Sequence, residues 1–261
     1  MLKYLISALL FPIAALAQNM DYGSVKLLKG WQAEDGSYQI ALEFKLNEGW
    51  KTYWRSPGPA GLPPVFNWEN SANLGDVRYD WPTPEIIDQG GMTTLGYHDT
   101  FVLPIRVSPE TEGPIRLVMD LNFGVCSDIC MPAQAVFLAR LDGSADEGVG
   151  RIKAALAHAP DTGENAGLLS INCAVSPRTK GAEITANMTF ATPMEGAFVV
   201  VESDDGDVWI DLPAATSRGA SLQAKAPMQY YGFGEMELNF AALTVSVFGA
   251  ERAVEIEGCP E

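Results

Sequence analysis

Alternation of apolar and polar residues at a period of two constrains this chain more than any other feature of its sequence. Tyr38, Ile40, Leu42, Phe44 and Leu46 fall on one face of an extended segment, and Gln39, Glu43 and Lys45 on the other, because successive strand side chains point to opposite sides. The pattern returns at Ile115, Leu117, Met119, Leu121 and Phe123, with Arg116, Asp120 and Asn122 opposite, and again at Ile184, Ala186, Met188 and Phe190. Each run predicts a half-buried strand. Turn-forming stretches such as Ser56-Pro57-Gly58-Pro59, Gln89-Gly90-Gly91 and Asp204-Asp205-Gly206-Asp207 separate such runs, and no βαβ alternation is seen. Short strands between turns predict an all-β chain built of antiparallel sandwiches.

One helix is expected near the middle. Ser144 and Glu147 have capping-box spacing, Val149, Ile152, Leu156 and Ala159 recur at helical spacing, and Pro160 stops the run. The polar stretch Asp161-Thr162-Gly163-Glu164-Asn165 follows, and strand-like sequence resumes at Leu168. A length of 261 residues accommodates two ordinary domains. The expected division is a first sandwich over 18–142, a helical linker over 143–166 and a second sandwich over 167–261. Trp31, Trp50, Trp54, Trp68 and Trp81 precede the linker and only Trp209 follows it, so the first sandwich is expected to use tryptophan for its core and rim.

Residues 1–17 read as a secretory signal: Met1-Leu2-Lys3, an apolar stretch from Tyr4 to Leu16, and Ala15-Leu16-Ala17 before Gln18. The apolar run contains Pro12 and falls short of the roughly 20 residues needed to cross a bilayer. The cleaved chain is therefore expected outside the cytoplasm, without a membrane span, where disulfides persist. The net charge of −16, from 17 Lys+Arg against 33 Asp+Glu with no basic cluster, argues against nucleic-acid binding.

Four cysteines permit three pairings, and spacing alone does not choose among them. Geometry favours Cys126 with Cys130 and Cys173 with Cys259. In the first pair, a helical turn or tight loop over Ser127-Asp128-Ile129 brings the Cα atoms into disulfide range; the second pair ties together the ends of the second sandwich. In the chain-entropy model the short loop contributes roughly 2 kcal/mol and the long one roughly 4.5, a gap on the order of 50 mV. The short bridge is thus expected to reduce more easily. Pro132 restricts the backbone beyond it, and Asp128 is a candidate to raise the thiol pKa values or to accept a proton.

These residues carry a resemblance. Gly49-Trp50-Lys51-Thr52-Tyr53-Trp54-Arg55-Ser56-Pro57-Gly58, Gly61-Leu62-Pro63-Pro64, Trp81-Pro82-Thr83-Pro84, Gly96-Tyr97-His98 with Leu103-Pro104, and Gly124-Val125-Cys126-Ser127-Asp128-Ile129-Cys130-Met131-Pro132 together resemble the periplasmic N-terminal domain of the DsbD disulfide reductase family, more nearly its copper-sensitivity-suppressor branch, ScsB. The likeness spans roughly residues 20–142. It implies an immunoglobulin-like sandwich in the periplasm, with Cys126 and Cys130 as a redox pair of the protein-disulfide reductase type. Such a pair takes electrons from a thioredoxin-like domain or a membrane electron-transfer protein and passes them to oxidised periplasmic proteins. The resemblance also implies Cys130 as the outward nucleophile, Cys126 as the resolving thiol, and the Gly90–Asp99 segment as a cap, with Tyr97 and His98 as cap or proton-transfer candidates. The C-x3-C spacing is narrower than in DsbD. No membrane or thioredoxin domain is recognised before Glu261, so electrons are expected from a separate protein.

Two other readings compete. Cys126 and Cys130 as thiolates, with Met131, Met92 or His98, form a soft donor set suited to Cu(I), and an adaptor with four structural cysteines is the third possibility. Zinc is disfavoured because the chain has only two histidines and His158 lies on the expected helix. The acidic stretch Glu202–Asp207 lacks calcium-loop spacing and reads as a solvated hairpin turn. Neither a hydrolase triad nor a phosphate loop is recognised, and no organic cofactor is expected.

Overall fold

The computed structural model describes residues 18–20, 22–144, 146–234 and 236–261. The expected signal segment, 1–17, lies outside the described residues. The first half contains β1 (Gln18–Met20), β2 (Gly23–Gln32), β3 (Tyr38–Leu46), β4 (Lys51–Tyr53), β5 (Val65–Asn67), β6 (Leu74–Tyr79), β7 (Glu85–Gln89), β8 (Met92–His98), β9 (Thr100–Pro109), β10 (Ile115–Cys126) and β11 (Cys130–Leu141). These strands form two antiparallel sheets, ordered β1-β2-β3-β9-β6 and β11-β10-β4-β8-β7, with β5 pairing a separate stretch of β10. The alternation read from the sequence directs Ile40, Leu42 and Ile105 from one sheet, and Leu117, Leu121 and Phe137 from the other, into a common core.

The single α-helix among the described residues, α1 (Val149–Leu156), lies against the outer face of the first sheet. Ile152 packs with Leu28 and Ala41, flanked by Trp31 and Val102. This corrects the half-buried expectation for β3, whose second face is covered too: Gln39 and Glu43 are buried. The Glu43 carboxylate is paired with Arg151 of the helix, which offsets the cost of burying it. The capping box does not form. Gly148, in the left-handed region at φ 77°, precedes the helix without a side-chain cap, while the Ser144 hydroxyl donates to Asp142 and Glu147 pairs with Lys26. A local Asx-type bond thus captures the serine that spacing assigned to the cap. The helix ends at Leu156, so Ala159 and Pro160 lie beyond it.

The second half contains β12 (Asp161–Thr162), β13 (Leu168–Pro177), β14 (Ala182–Phe190), β15 (Phe198–Ser203), β16 (Val208–Ile210), β17 (Ala214–Arg218), β18 (Ser221–Tyr230), β19 (Leu243–Phe248) and β20 (Ala253–Glu257). One sheet is ordered β12-β20-β19-β15 and the other β13-β14-β18-β16, with β17 also on β18. All pairs are antiparallel except β12 with β20. Between the sheets, Ile184, Met188, Phe190, Val199 and Val245 form a second core. The architecture is two β-sandwiches of the immunoglobulin-like class.

The two sandwiches share a contact built on the end of β4. Trp54 meets Phe248 edge-on at a centroid distance of 5.4 Å, and Arg55 lies over the Trp54 ring. The Arg55 guanidinium grips Glu202 through two bonds of 3.0 and 2.8 Å and reaches Glu255 at 2.5 Å. Burial works against the guanidinium charge, but Glu202 and Glu255 hold its pKa above the ordinary value. The acidic stretch is solvated over 204–207, as expected, but it is not a hairpin turn. Glu202 is committed to the interface, and 204–207 passes from a strand of one sheet to a strand of the other.

Candidate redox site

Strands β10 and β11 stay in register from Ile115↔Leu141 to Cys126↔Cys130, closed by the turn Ser127–Ile129. The C-x3-C segment is thus the tip of a long hairpin, not a helical turn. Facing each other across the last rung, the two cysteines have Cα atoms 4.1 Å apart and are joined as a disulfide. Alternation along β10 sends Phe123 and Val125 into the core and Cys126 and Gly124 to the other face.

The rung continues across the sheet. Cys130, Cys126, Lys51 of β4 and His98 of β8 are successive register partners, so their side chains share one face. Tyr53, two residues along β4, lies on that face too. Its hydroxyl is 2.7 Å from Cys126 Sγ and 3.2 Å from Cys130 Sγ. The segment after β4 folds over this tyrosine. A Cβ on Gly124 would stand 2.5 Å from Leu62 Cβ and 3.1 Å from Tyr53 Cδ2, so the close approach of this cover requires glycine there.

The result is asymmetric. Cys126 is 0% exposed and Tyr53 1%, whereas Cys130 is exposed beside the exposed apolar side chain of its neighbour Ile129. Burial raises the Tyr53 pKa, which keeps its proton in place at neutral pH as a donor to sulfur. Lys51 is buried as well, and burial lowers its pKa. Gln89, at the end of β7, brings Nε2 to 3.7 Å from Cys130 Sγ, while its Oε1 is buried without a hydrogen-bond partner.

Tyr97 is not brought to the sulfurs. It belongs to the neighbouring rung, Val125–Thr52–Tyr97, whose side chains face the core. Its ring stacks on Phe101 at 4.1 Å and its hydroxyl donates to the Pro82 carbonyl at 2.7 Å. His98 shares the face of the pair but stands two strands from Cys126, about 10 Å at the usual strand spacing, and its Nδ1 is 2.8 Å from Glu85 Oε2. Asp128 sits exposed at the turn. Met131 is the register partner of Val125, so alternation turns it to the face opposite Cys130, and Met92 is exposed beside the β7–β8 turn. Among the described residues, no group of three or more His, Cys, Asp and Glu gathers as a metal site. Cys173 and Cys259 form the second disulfide, with Cα atoms 5.4 Å apart and both residues buried.

Sequence reasoning missed Tyr53, Lys51 and Gln89 as neighbours of the pair. Tyr53 and Lys51 lay within a quoted motif, and period two puts them on one face. Their pairing with a strand some 70 residues later is a tertiary fact.

The profile described as "Thiol:disulfide interchange protein DsbD, N-terminal" matches residues 24–141. Among curated proteins, none matches. The crystal structure of the N-terminal periplasmic domain of ScsB from Proteus mirabilis aligns with 95% of this chain and 98% of its own, at 21% identity and a TM-score of 0.72. The reduced N-terminal domain of Neisseria meningitidis DsbD aligns with 46% of this chain and 86% of its own, at 16% identity and a TM-score of 0.31, too low to carry an argument. Among the described residues, no helix is long and apolar enough to cross a membrane. Over residues 24–141 the chain matches the DsbD N-terminal family, and over nearly its whole length it has the fold of a ScsB N-terminal periplasmic domain.

Proposed function

We propose that this chain is a periplasmic thiol–disulfide interchange protein that relays reducing equivalents through Cys126 and Cys130 to oxidised partner proteins. The reading takes 1–17 as a cleaved signal, 18–142 as the redox sandwich, 143–166 as the linker and 167–261 as the second sandwich. One observation carries it: the bridge closes a hairpin tip with Cys130 exposed and Cys126 sealed. The match to the DsbD N-terminal family supports it.

In the reduced protein, the Cys130 thiolate attacks one sulfur of a partner disulfide and expels the other as a thiolate. The Cys126 thiolate then attacks Cys130 Sγ, re-forms the 126–130 bridge and releases the partner's second thiolate. Two electrons pass to the partner. A thioredoxin-like domain or membrane electron-transfer protein restores the dithiol by the same chemistry in reverse. Exposure favours Cys130 as the first nucleophile, since an in-line approach to a bulky partner needs an open sulfur.

Thiol trapping of the purified protein in graded glutathione buffers tests this. The 126–130 bridge opens first and 173–259 stays closed, and Cys126→Ser accumulates a Cys130-linked mixed disulfide with a thioredoxin-like protein. Two equally resistant bridges, with no trapped adduct, would leave a structural adaptor instead.

A further inference from the structure

Among the described residues, Lys51 is the only buried lysine. No carboxylate is paired with it in any ion pair of those residues, and burial alone accounts for its lowered pKa. Register puts it directly between Cys126 and His98 on the face of the disulfide, and residues opposed in this way have Cβ atoms about 4.5–5.5 Å apart. The titratable groups near the rung on this face are Tyr53 from its own strand, Cys126 and Cys130 from the hairpin, Asp128 in the turn, and His98 with its partner Glu85 from β8 and β7, while Asp120, Arg116 and Arg140 lie further along the hairpin, away from its tip. Glu85 is engaged by His98, and a disulfide has no charge. The oxidised site therefore holds a largely buried lysine with no anion paired to it, and burial disfavours its charge.

Reduction can supply the anion. A thiol sealed as Cys126 is would ordinarily hold its proton more tightly, because burial disfavours the thiolate. An adjacent ammonium reverses that preference. We propose that Lys51 is a positioning residue that pairs with the Cys126 thiolate in the reduced state and keeps the resolving sulfur deprotonated. The inference rests on the exchange reading and deepens it. With a dithiol as donor, the bridge takes two electrons and one proton, giving Cys126 thiolate beside Lys51 and a Cys130 thiol, whose exposed sulfur gives its proton to solvent to form the thiolate that attacks the partner. The Cys126 thiolate is then ready to attack Cys130 once Cys130 carries a partner, and no base has to enter the sealed side of the site. Tyr53, whose hydroxyl lies 2.7 Å from Cys126 Sγ, donates to the same thiolate.

The test follows proton equilibria of the protein alone, so it holds or fails separately from any electron transfer to partners. In a Cys130→Ser background with the second bridge intact, the 13Cβ shift of labelled Cys126 is followed against pH. With Lys51 present the midpoint lies below the ordinary thiol range. Lys51→Met raises it by a pH unit or more, and Lys51→Arg keeps it low. Equal midpoints with and without the Lys51→Met substitution overturn the proposal. The unmutated protein offers a second measurement that needs no variant: the Lys51 ε-CH2 resonance is titrated in the oxidised and reduced states. Linkage requires the Lys51 midpoint to rise on reduction by as much as the ammonium lowers that of the thiol. A Lys51 titration indifferent to reduction overturns the proposal as well.

Discussion

The two disulfides are chemically the same bond in opposite surroundings. Cys126–Cys130 links residues four apart at the end of a hairpin whose strands are already in register, so it adds little order that the ladder lacks. Cys173–Cys259 spans 86 positions and anchors the C-terminal tail to the first long strand of its sandwich. There the Cys173 N–H donates to Pro260 at 2.7 Å and the Cys259 N–H to Phe240 at 2.9 Å. Both of its cysteines are buried, against one of two in the hairpin bridge. Attack by a thiolate needs access along the S–S axis, so exposure of one sulfur separates a bridge built for exchange from one built for stability.

The largest effect expected from this contrast is on stability. Replacing both Cys173 and Cys259 by Ala lowers the unfolding free energy by roughly 4.5 kcal/mol in the chain-entropy model, read as a lower urea midpoint. Arg55→Met comes next, with about 2–3 kcal/mol lost because Glu202 and Glu255 are left facing each other. This is below the full buried-pair cost, since Arg55 and Glu255 side chains remain 23% and 32% exposed. Replacing Cys126 and Cys130 by Ala costs roughly 2 kcal/mol by the same unfolding measurement. If that pair proves as stabilising as the other, the contrast fails.

Smaller effects sharpen the comparison at the sulfurs themselves. Tyr53→Phe removes the hydroxyl that meets both Sγ atoms and, because a thiolate accepts this hydrogen bond more strongly than a disulfide sulfur does, shifts the glutathione equilibrium of the hairpin bridge toward the disulfide by about 0.5–1.5 kcal/mol, leaving the second bridge unmoved. The smallest expected effect is a pH dependence. In the oxidised protein burial lowers the Lys51 pKa, so between that lowered value and about 10.4 the unfolded chain binds the proton more tightly. Stability from this group therefore rises with pH through that window and is lowest below it. Urea midpoints of the oxidised protein compared at pH 8 and pH 10 show the rise, and Lys51→Met removes its share of the slope.

Particular residues show how far the sequence reached. Alternation at 115–123 and 184–190 predicted the observed strand faces, because the period of a strand is local geometry. At 38–46 the same reasoning placed the apolar face and misjudged the other, since the cover that buries Glu43 comes from Arg151 and the helix more than 100 residues later. Tyr97 and His98 are adjacent in sequence, yet one strand step separates a core aromatic from a residue on the sulfur-bearing face. Nothing local says which of the two faces the pair.

By itself the chain determined its strand-rich class, the turns between strands, and the cysteine spacing that a hairpin closes into a bridge, all consequences of interactions among near neighbours. Only the tertiary structure decided that β4 lies beside β10, so that Lys51 and Tyr53 meet Cys126, that Leu62 settles on Gly124, and that Cys126 is buried while Cys130 stays exposed. Those contacts join segments far apart in sequence, and strand order and register, which no short-range pattern encodes, select them.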